Sequence, residues 1–308
     1  MTPAVEIRNL RKVYSGGVEA LKGIELTVPA GEFFGLLGPN GAGKTTTIGI
    51  TTGLVRITEG SVKVMGHDVV RQYRQARRRI GLAAQELNFD WFFAIEDLMV
   101  LQAGYYGVGK TLARERAVRL LDEFGLTSKR RVKPRELSGG MKRRFQIARS
   151  LVHDPDILIL DEPTAGVDVE LRHMLWNYLT RLNKEGRTIV LTTHYIEEAE
   201  KLCERVAIID QGRIVATGSP AELVAGMNRE GMKLQLENWN EETARALDGY
   251  KYDYTDGYLR IHINQPELRL TEIINRIIST GALVQDVKIC RSTLEDAFIA
   301  LTGHGIDD

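Results

Sequence analysis

One stretch, Gly38-Pro39-Asn40-Gly41-Ala42-Gly43-Lys44-Thr45-Thr46, limits what this chain can be more than any other. Four residues separate Gly38 from Gly43, and Lys44 and Thr45 follow, which is the pattern of a phosphate-binding loop. Each residue type has a physical reason to be there. The glycines let the backbone curl until successive amide N–H groups point at one anion. Lys44 supplies a point charge near the β- and γ-phosphates, and the Thr45 hydroxyl suits a nucleotide-bound magnesium ion. The short apolar run Glu32-Phe33-Phe34-Gly35-Leu36-Leu37 reads as a buried strand leading in. Thr46 to Ile50 reads as the continuing helix, whose positive dipole end faces the anion. The stretch therefore predicts a site for the phosphates of a nucleotide.

The chain around it reads as α/β. Val5, Ile7, Ile24, Leu26 and Val28 alternate with polar residues about the Ser15-Gly16-Gly17 turn, predicting a half-buried antiparallel pair, and Ser61 to Gly66 adds a strand to that layer. From about Gln85 to His153 the spacing turns helical, with Ile95 to Gln102 and Leu112 to Phe124 the clearest segments. Two apolar strands, Ile157 to Leu160 and Thr188 to Thr192, flank a helix over Glu170 to Leu182. Continuous apolar strands around a helix predict a parallel sheet covered on both faces. A hairpin about Asp210-Gln211-Gly212 closes this domain, and a boundary is expected near Ala225-Gly226-Met227-Asn228. Beyond it the order strand, helix, hairpin at Asp256-Gly257, helix, strand is the βαββαβ of a ferredoxin-like module. A last helix is expected from Ser292, boxed by Glu295.

Composition excludes several classes. Lysine plus arginine equals aspartate plus glutamate at 41 each, so no overall field favours nucleic acid or an anionic membrane. No run approaches the roughly twenty apolar residues of a membrane span, and the N-terminus lacks a signal-peptide pattern. Cys203 and Cys290, the only cysteines, suit a reducing compartment and small apolar roles.

Two further stretches complete the site. Asp161 and Glu162 directly follow an apolar strand, so Asp161 is placed to ligate magnesium and Glu162 to take a proton from an attacking water. Leu137-Ser138-Gly139-Gly140-Met141 opens a helix with Ser138 as N-cap, and Lys142, Arg143 and Arg144 crowd its first turn against the dipole. Two glycine amides, a helix N-terminus and surplus positive charge describe a second phosphate-binding surface.

On these residues the chain resembles the ATP-binding cassette (ABC) proteins over residues 5–218. Leu137 to Met141 is similar to the family signature, with Met141 where glutamine is most frequent. The resemblance implies a P-loop ATPase domain with a RecA-like core, an antiparallel β subdomain and a helical signature subdomain. These divide as residues 1–226, with the helical part at about 86–153, and an accessory domain at 227–308. It implies that Tyr14 stacks on adenine and that Gln85 touches magnesium and links to a transport partner. It further implies that Asp168, in Ala165-Gly166-Val167-Asp168, lies at a dimer interface and that His194 contacts the γ-phosphate. Taken singly, Tyr14 reads as a core aromatic, Gln85 as a surface amide and His194 as a strand-end histidine. Asp161 to Asp168, Leu191 to Glu200 and Ser292 to Phe298 resemble export ATPases of the daunorubicin-resistance type. That implies ATP and Mg2+ as cofactors, a head-to-tail homodimer and a separate membrane permease. The implied place is cytoplasmic, at the inner face of the membrane, with no nucleic-acid partner.

Other readings remain open at this point. Asn88-Phe89-Asp90-Trp91-Phe92-Phe93 follows Gln85 and suits an interface with the permease, although about half of these rings can pack inward. Arg71, Arg74 and Arg77 to Arg79, and Lys129 to Arg135, read as solvated faces or as a nucleic-acid surface of a soluble ABC ATPase. A GTPase is disfavoured because Asn183-Lys184-Glu185-Gly186 lacks the guanine-reading aspartate. The C-terminal module is consistent with regulation, dimer stabilisation or sensing.

Overall fold

A computed structural model describes residues 2–225, 231–263, 266–290 and 292–306. The chain forms two compact units, one of residues up to Pro220 with Gly305 and Ile306, and one of Ala221–His304. Of the boundary residues singled out in the sequence, 226–228 lie outside the described residues.

The first unit holds two sheets. In the antiparallel one, β1 (Val5–Val13) pairs with β2 (Glu19–Val28) and with β4 (Glu59–Val64), and β5 (His67–Asp68) extends β4. The second runs β10 (Arg213–Gly218), β9 (Arg205–Asp210), β3 (Phe33–Leu37), β8 (Thr188–Thr193), β7 (Ile157–Asp161) and β6 (Ile80–Ala83) in spatial order. Only its edge pair β9–β10 is antiparallel, turned at Gln211 and Gly212, both of positive φ. The central strands β3, β7 and β8 are buried at every position, as their continuous apolar runs require. The register sets Leu37 beside Thr193 and Asp161 beside Thr192, so the ends of β3, β8 and β7 come level. In open α/β sheets the carboxyl ends of the strands are where ligands bind.

Helix α1 (Lys44–Thr51) follows the glycine loop; α2 (Tyr73–Arg78) and β6, which the sequence reading passed over, come next. β6 is only four residues and adjoins a run of arginines, so its periodicity is too short to register. The helical segment consists of α3 (Ile95–Tyr105), α4 (Lys110–Glu123) and α5 (Gly139–Leu151), followed by α6 (Val169–Lys184), α7 (Ile196–Leu202) and α8 (Pro220–Ala225). Among the described residues no helix is long and apolar enough to cross a membrane.

The second unit has the order β11 (Gly231–Glu237), α9 (Glu241–Ala246), β12 (Lys251–Thr255), β13 (Tyr258–His262), α10 (Pro266–Ile278) and β14 (Leu283–Cys290). Its antiparallel sheet runs β12-β13-β11-β14, a ferredoxin-like arrangement over a core of Met232, Leu234, Leu259, Ile261, Ile273 and Ile277. Asp256 and Gly257 both take positive φ in the tight turn. The last helix, α11 (Leu294–Thr302), starts one residue later than expected. Its N-cap is Thr293, boxed by Asp296, rather than Ser292 with Glu295. Both pairs satisfy the motif; the frame that forms buries Leu294, Ala297 and Phe298 completely.

His153, just past α5, shows how this helix is seated. Its Nε2 donates to the Ile80 carbonyl at 2.9 Å and its ring stacks on Tyr106, 3.7 Å between centroids. Burial pushes the imidazole from an ordinary 6.5 down to about 4. The folded chain binds this proton less readily than the unfolded one, so His153 withdraws stability as pH falls from 6.5 toward 4. Urea unfolding of wild type and His153→Gln across that range is expected to show wild type losing roughly 3 kcal/mol relative to the variant.

Candidate active site

The glycine loop is shaped by what surrounds it. A Cβ on Gly38 would lie 2.2 Å from the Ile209 carbonyl oxygen, so β9 leaves room for glycine alone. Gly43 has φ 110° and is the N-cap of α1, with no side chain capping the helix. The first-turn amides thus remain directed at an anion. Pro39, Asn40 and Gly41 form the outer rim, Ala42 and Gly43 are buried, and Thr45 and Thr46 open the helix. Lys44 is only 5% exposed. Its ammonium donates to the Gly38 carbonyl at 2.7 Å and the Pro39 carbonyl at 3.1 Å, and lies 3.3 Å from Glu162 Oε1. Burial lowers its pKa, and the Glu162 and Asp161 carboxylates oppose that shift.

Glu162 is the hub. Its backbone is in the left-handed region at φ 48°, an uncommon state for a residue with a side chain. Every polar atom that this conformation presents is held. The amide donates to the Thr192 carbonyl (3.1 Å) and hydroxyl (3.2 Å), and the carbonyl accepts from Arg143 at 2.9 Å. Oε1 meets His194 Nδ1 at 3.1 Å as well as Lys44, and Oε2 accepts from Gln85 Nε2 at 3.0 Å. Asp161, buried beside it, accepts from the Thr192 hydroxyl at 2.5 Å. With its amide nitrogen engaged, Gln85 keeps its carbonyl oxygen for another partner.

Tyr14 is 40% exposed, its hydroxyl 3.2 Å from Thr46 Oγ1 and the Lys12 ammonium 4.8 Å from its ring centre, so it is not a core aromatic. Ser138 caps α5, its hydroxyl accepting the Met141 amide at 3.3 Å; Ser138 and Gly139 are exposed, and Gly140 adjoins Leu171. Asp168 caps α6 through the Leu171 amide at 2.8 Å. Asn183 bonds the Gly31 and Arg187 carbonyls, away from any base-reading role.

Of the surplus charge expected on the first turn of α5, Arg143 is not at that surface, whereas Arg144 lines one cleft with Ser138, Gly140 and Asp168. Arg143 is buried and turns inward, to the Ala84, Gln85 and Glu162 carbonyls and to Gln146 Oε1. Arg144 donates to the Phe124 carbonyl at 2.9 Å, and Lys142 lies over the Trp91 ring. A buried guanidinium persists only with acceptors for its fork, and four converge on Arg143. Thr192, Arg143 and Gln146 are thus parts of the site that motif reading missed. Thr192 was detectable as a hydroxyl ending an apolar strand; the inward turn of Arg143 has no local signal.

Among the described residues no group of three or more His, Cys, Asp or Glu could hold a metal. Magnesium takes one or two carboxylates and completes its shell with phosphates and water. Asp161, Thr45 and the Gln85 carbonyl are hard oxygen donors of the right kind.

A family model for the ABC transporter domain matches residues 21–165. The daunorubicin/doxorubicin resistance ATP-binding protein DrrA of Streptomyces peucetius is 37% identical over 314 residues, covering 100% of this chain and 94% of its own. A Nod factor export ATP-binding protein I of Burkholderia lata is 43% identical over 309 residues, covering 99% and 98%. A dimeric ATP-binding cassette in a post-hydrolysis state with ADP and phosphate superposes with TM-score 0.65 at 29% identity, over 70% of this chain and 98% of that one. The chain belongs to the ATP-binding subunits of export-type ABC transporters. It is an ATP-binding, ATP-hydrolysing protein of the P-loop ABC fold.

Because the Ile209 carbonyl closes on Gly38, Gly38→Ala is expected to weaken ATP binding by about 5- to 150-fold, the effect of about 1–3 kcal/mol of overpacking. Titration with a fluorescent ATP analogue measures it.

Proposed function

We propose that this chain powers a separate membrane permease by closing as a head-to-tail homodimer over two ATP molecules and hydrolysing them. The observation that carries the catalytic part is the Glu162 carboxylate shared by Lys44, Gln85 and His194. ATP phosphates take the loop amides of Gly38 to Thr46 and the Lys44 ammonium, with Tyr14 against the adenine. Thr45, Asp161 and Gln85 would hold a magnesium ion, which would supply neutralisation of phosphate charge. Glu162 accepts a proton from water as its oxygen attacks the γ-phosphorus; the bond to the ADP oxygen breaks, giving ADP and inorganic phosphate. His194 orients Glu162 and the γ-phosphate. Ser138, Gly139 and Gly140 close on the nucleotide of the second copy, and Asp168 lies at that junction; the exposure of Ser138, Gly139 and Asp168, and the dimeric relative with ADP and phosphate, support this. With Arg143 turned inward, the signature surface works through amides, hydroxyl and helix dipole, with Arg144 beside them in the same cleft.

Aromatic side chains left in solvent support the permease contact. Phe89 is buried against Phe145, but Phe92 is 80% and Phe93 50% exposed. Arg71, Arg74 and Arg77 to Arg79 are all exposed, and Arg74, Arg77 and Arg78 line, with Tyr73, Tyr105 and Tyr106, a cleft of about 610 Å³. Arginine and tyrosine are the side chains enriched at protein interfaces. The second basic stretch is partly neutralised, Arg130 lying 3.3 Å from Glu96, which weighs against a nucleic-acid surface. The place of action that follows is the cytoplasmic face of the membrane.

Glu162→Gln is expected to bind ATP and dimerise but to turn over at least about a hundredfold more slowly, read by phosphate release and size-exclusion chromatography; wild-type turnover would remove Glu162 from the role. Phe92→Ala/Phe93→Ala is expected to keep ATPase activity of the isolated chain and lose co-purification with a co-expressed permease subunit. Unchanged co-purification would remove these rings from the interface.

A further inference from the structure

Glu198, on α7, is 1% exposed, and among the described residues no Lys, Arg or His comes within ion-pair distance of it. Its oxygens accept from three neutral donors. Oε2 takes the Thr193 hydroxyl at 2.7 Å; Oε1 takes the Trp176 indole N–H at 3.1 Å and also the Thr164 hydroxyl. The indole N–H can only donate, and the Thr193 hydroxyl, which accepts the Tyr195 amide at 2.9 Å, donates to Glu198 Oε2. Both carboxyl oxygens act as acceptors, and an amide would keep only one of them.

An uncompensated buried carboxylate is costly, and an apolar side chain would fill the same space with less penalty. What the carboxylate gains is a join between separate segments. Thr164 lies on the loop from Glu162 to Asp168, Trp176 on the helix that this loop enters, and Thr193 is the end of β8, next to His194. Both residues that meet at 3.1 Å in the site, Glu162 and His194, thus have a near neighbour gripped by the same side chain.

We propose that Glu198 is a positioning residue for ATP hydrolysis, clamping the Thr164 and Thr193 hydroxyls so that Glu162 and His194 stay in register. The inference rests on the reading that those two act at the γ-phosphate. In the full-length chain Glu198→Gln preserves shape but sets an N–H donor against either Trp176 or Thr193. It is expected to lower kcat for ATP by about tenfold or more while KM moves less than about twofold, because the binding groups lie elsewhere. Thr193→Val is expected to reproduce the loss and Thr193→Ser to spare it, and Glu198→Gln/Thr193→Val should be no worse than the stronger single variant.

Wild-type kcat in Glu198→Gln, a rise in KM matching the fall in kcat, or multiplying losses in the double variant would each overturn the proposal. Should Glu198→Gln not fold, the Thr193 pair decides: equal activity of the Val and Ser variants overturns it. Glu162→Gln run in parallel separates the failures. Full turnover there defeats the reading of the site, whereas a slow Glu162→Gln beside a normal Glu198→Gln defeats only the role of Glu198.

Discussion

Glu162 sits where a carboxylate is hard to place, 6% exposed, on a left-handed backbone, and in contact with an equally buried ammonium. Neither member of the Lys44–Glu162 pair could be left alone there, since an unpaired buried charge is far costlier than a paired one. The pair can meet only if the strand ending at Leu37 and the strand ending at Asp161 stop level, with β8 between them. The six-stranded sheet has that register. Much of the rest of the unit follows: β9 tight against Gly38, Thr192 between Asp161 and the Glu162 amide, and Arg143 under the Glu162 carbonyl.

The first turn of α5 faces two ways. Ser138 and Gly139 present open backbone to solvent, while one turn further Arg143 enters the interior and holds the Gln85 segment and Glu162 by their carbonyls. The charge that looks on paper like part of an anion-binding surface serves instead as a buried cross-link. A helix that offers its N-terminus outward is thereby fastened to the backbone of Glu162 in its own chain.

Much of the arrangement was legible because it is local. The glycine loop, the apolar strands around it, the Asp256-Gly257 turn and the Ser138 cap are each specified within a few residues by backbone freedom, periodicity and side-chain reach. β6 and the frame of α11 were not. One is too short to show a period, and the other offered two overlapping capping boxes that only the burial of Leu294 and Phe298 resolves. The aromatic run after Gln85 was half legible: its composition marked it, but which rings enter the core was settled by the position of Phe145.

By itself the sequence determined the phosphate loop, the acidic pair at the end of β7, the signature turn and the α/β class, since each depends on residue type at fixed spacing. The tertiary structure alone decided that Gln85, Lys44 and His194 converge on one carboxylate, that Arg143 points inward, and that Glu198 is buried among three neutral donors. The reason is range: backbone propensity acts over a few residues, whereas these contacts join segments up to 118 positions apart, and only packing brings them within hydrogen-bonding distance.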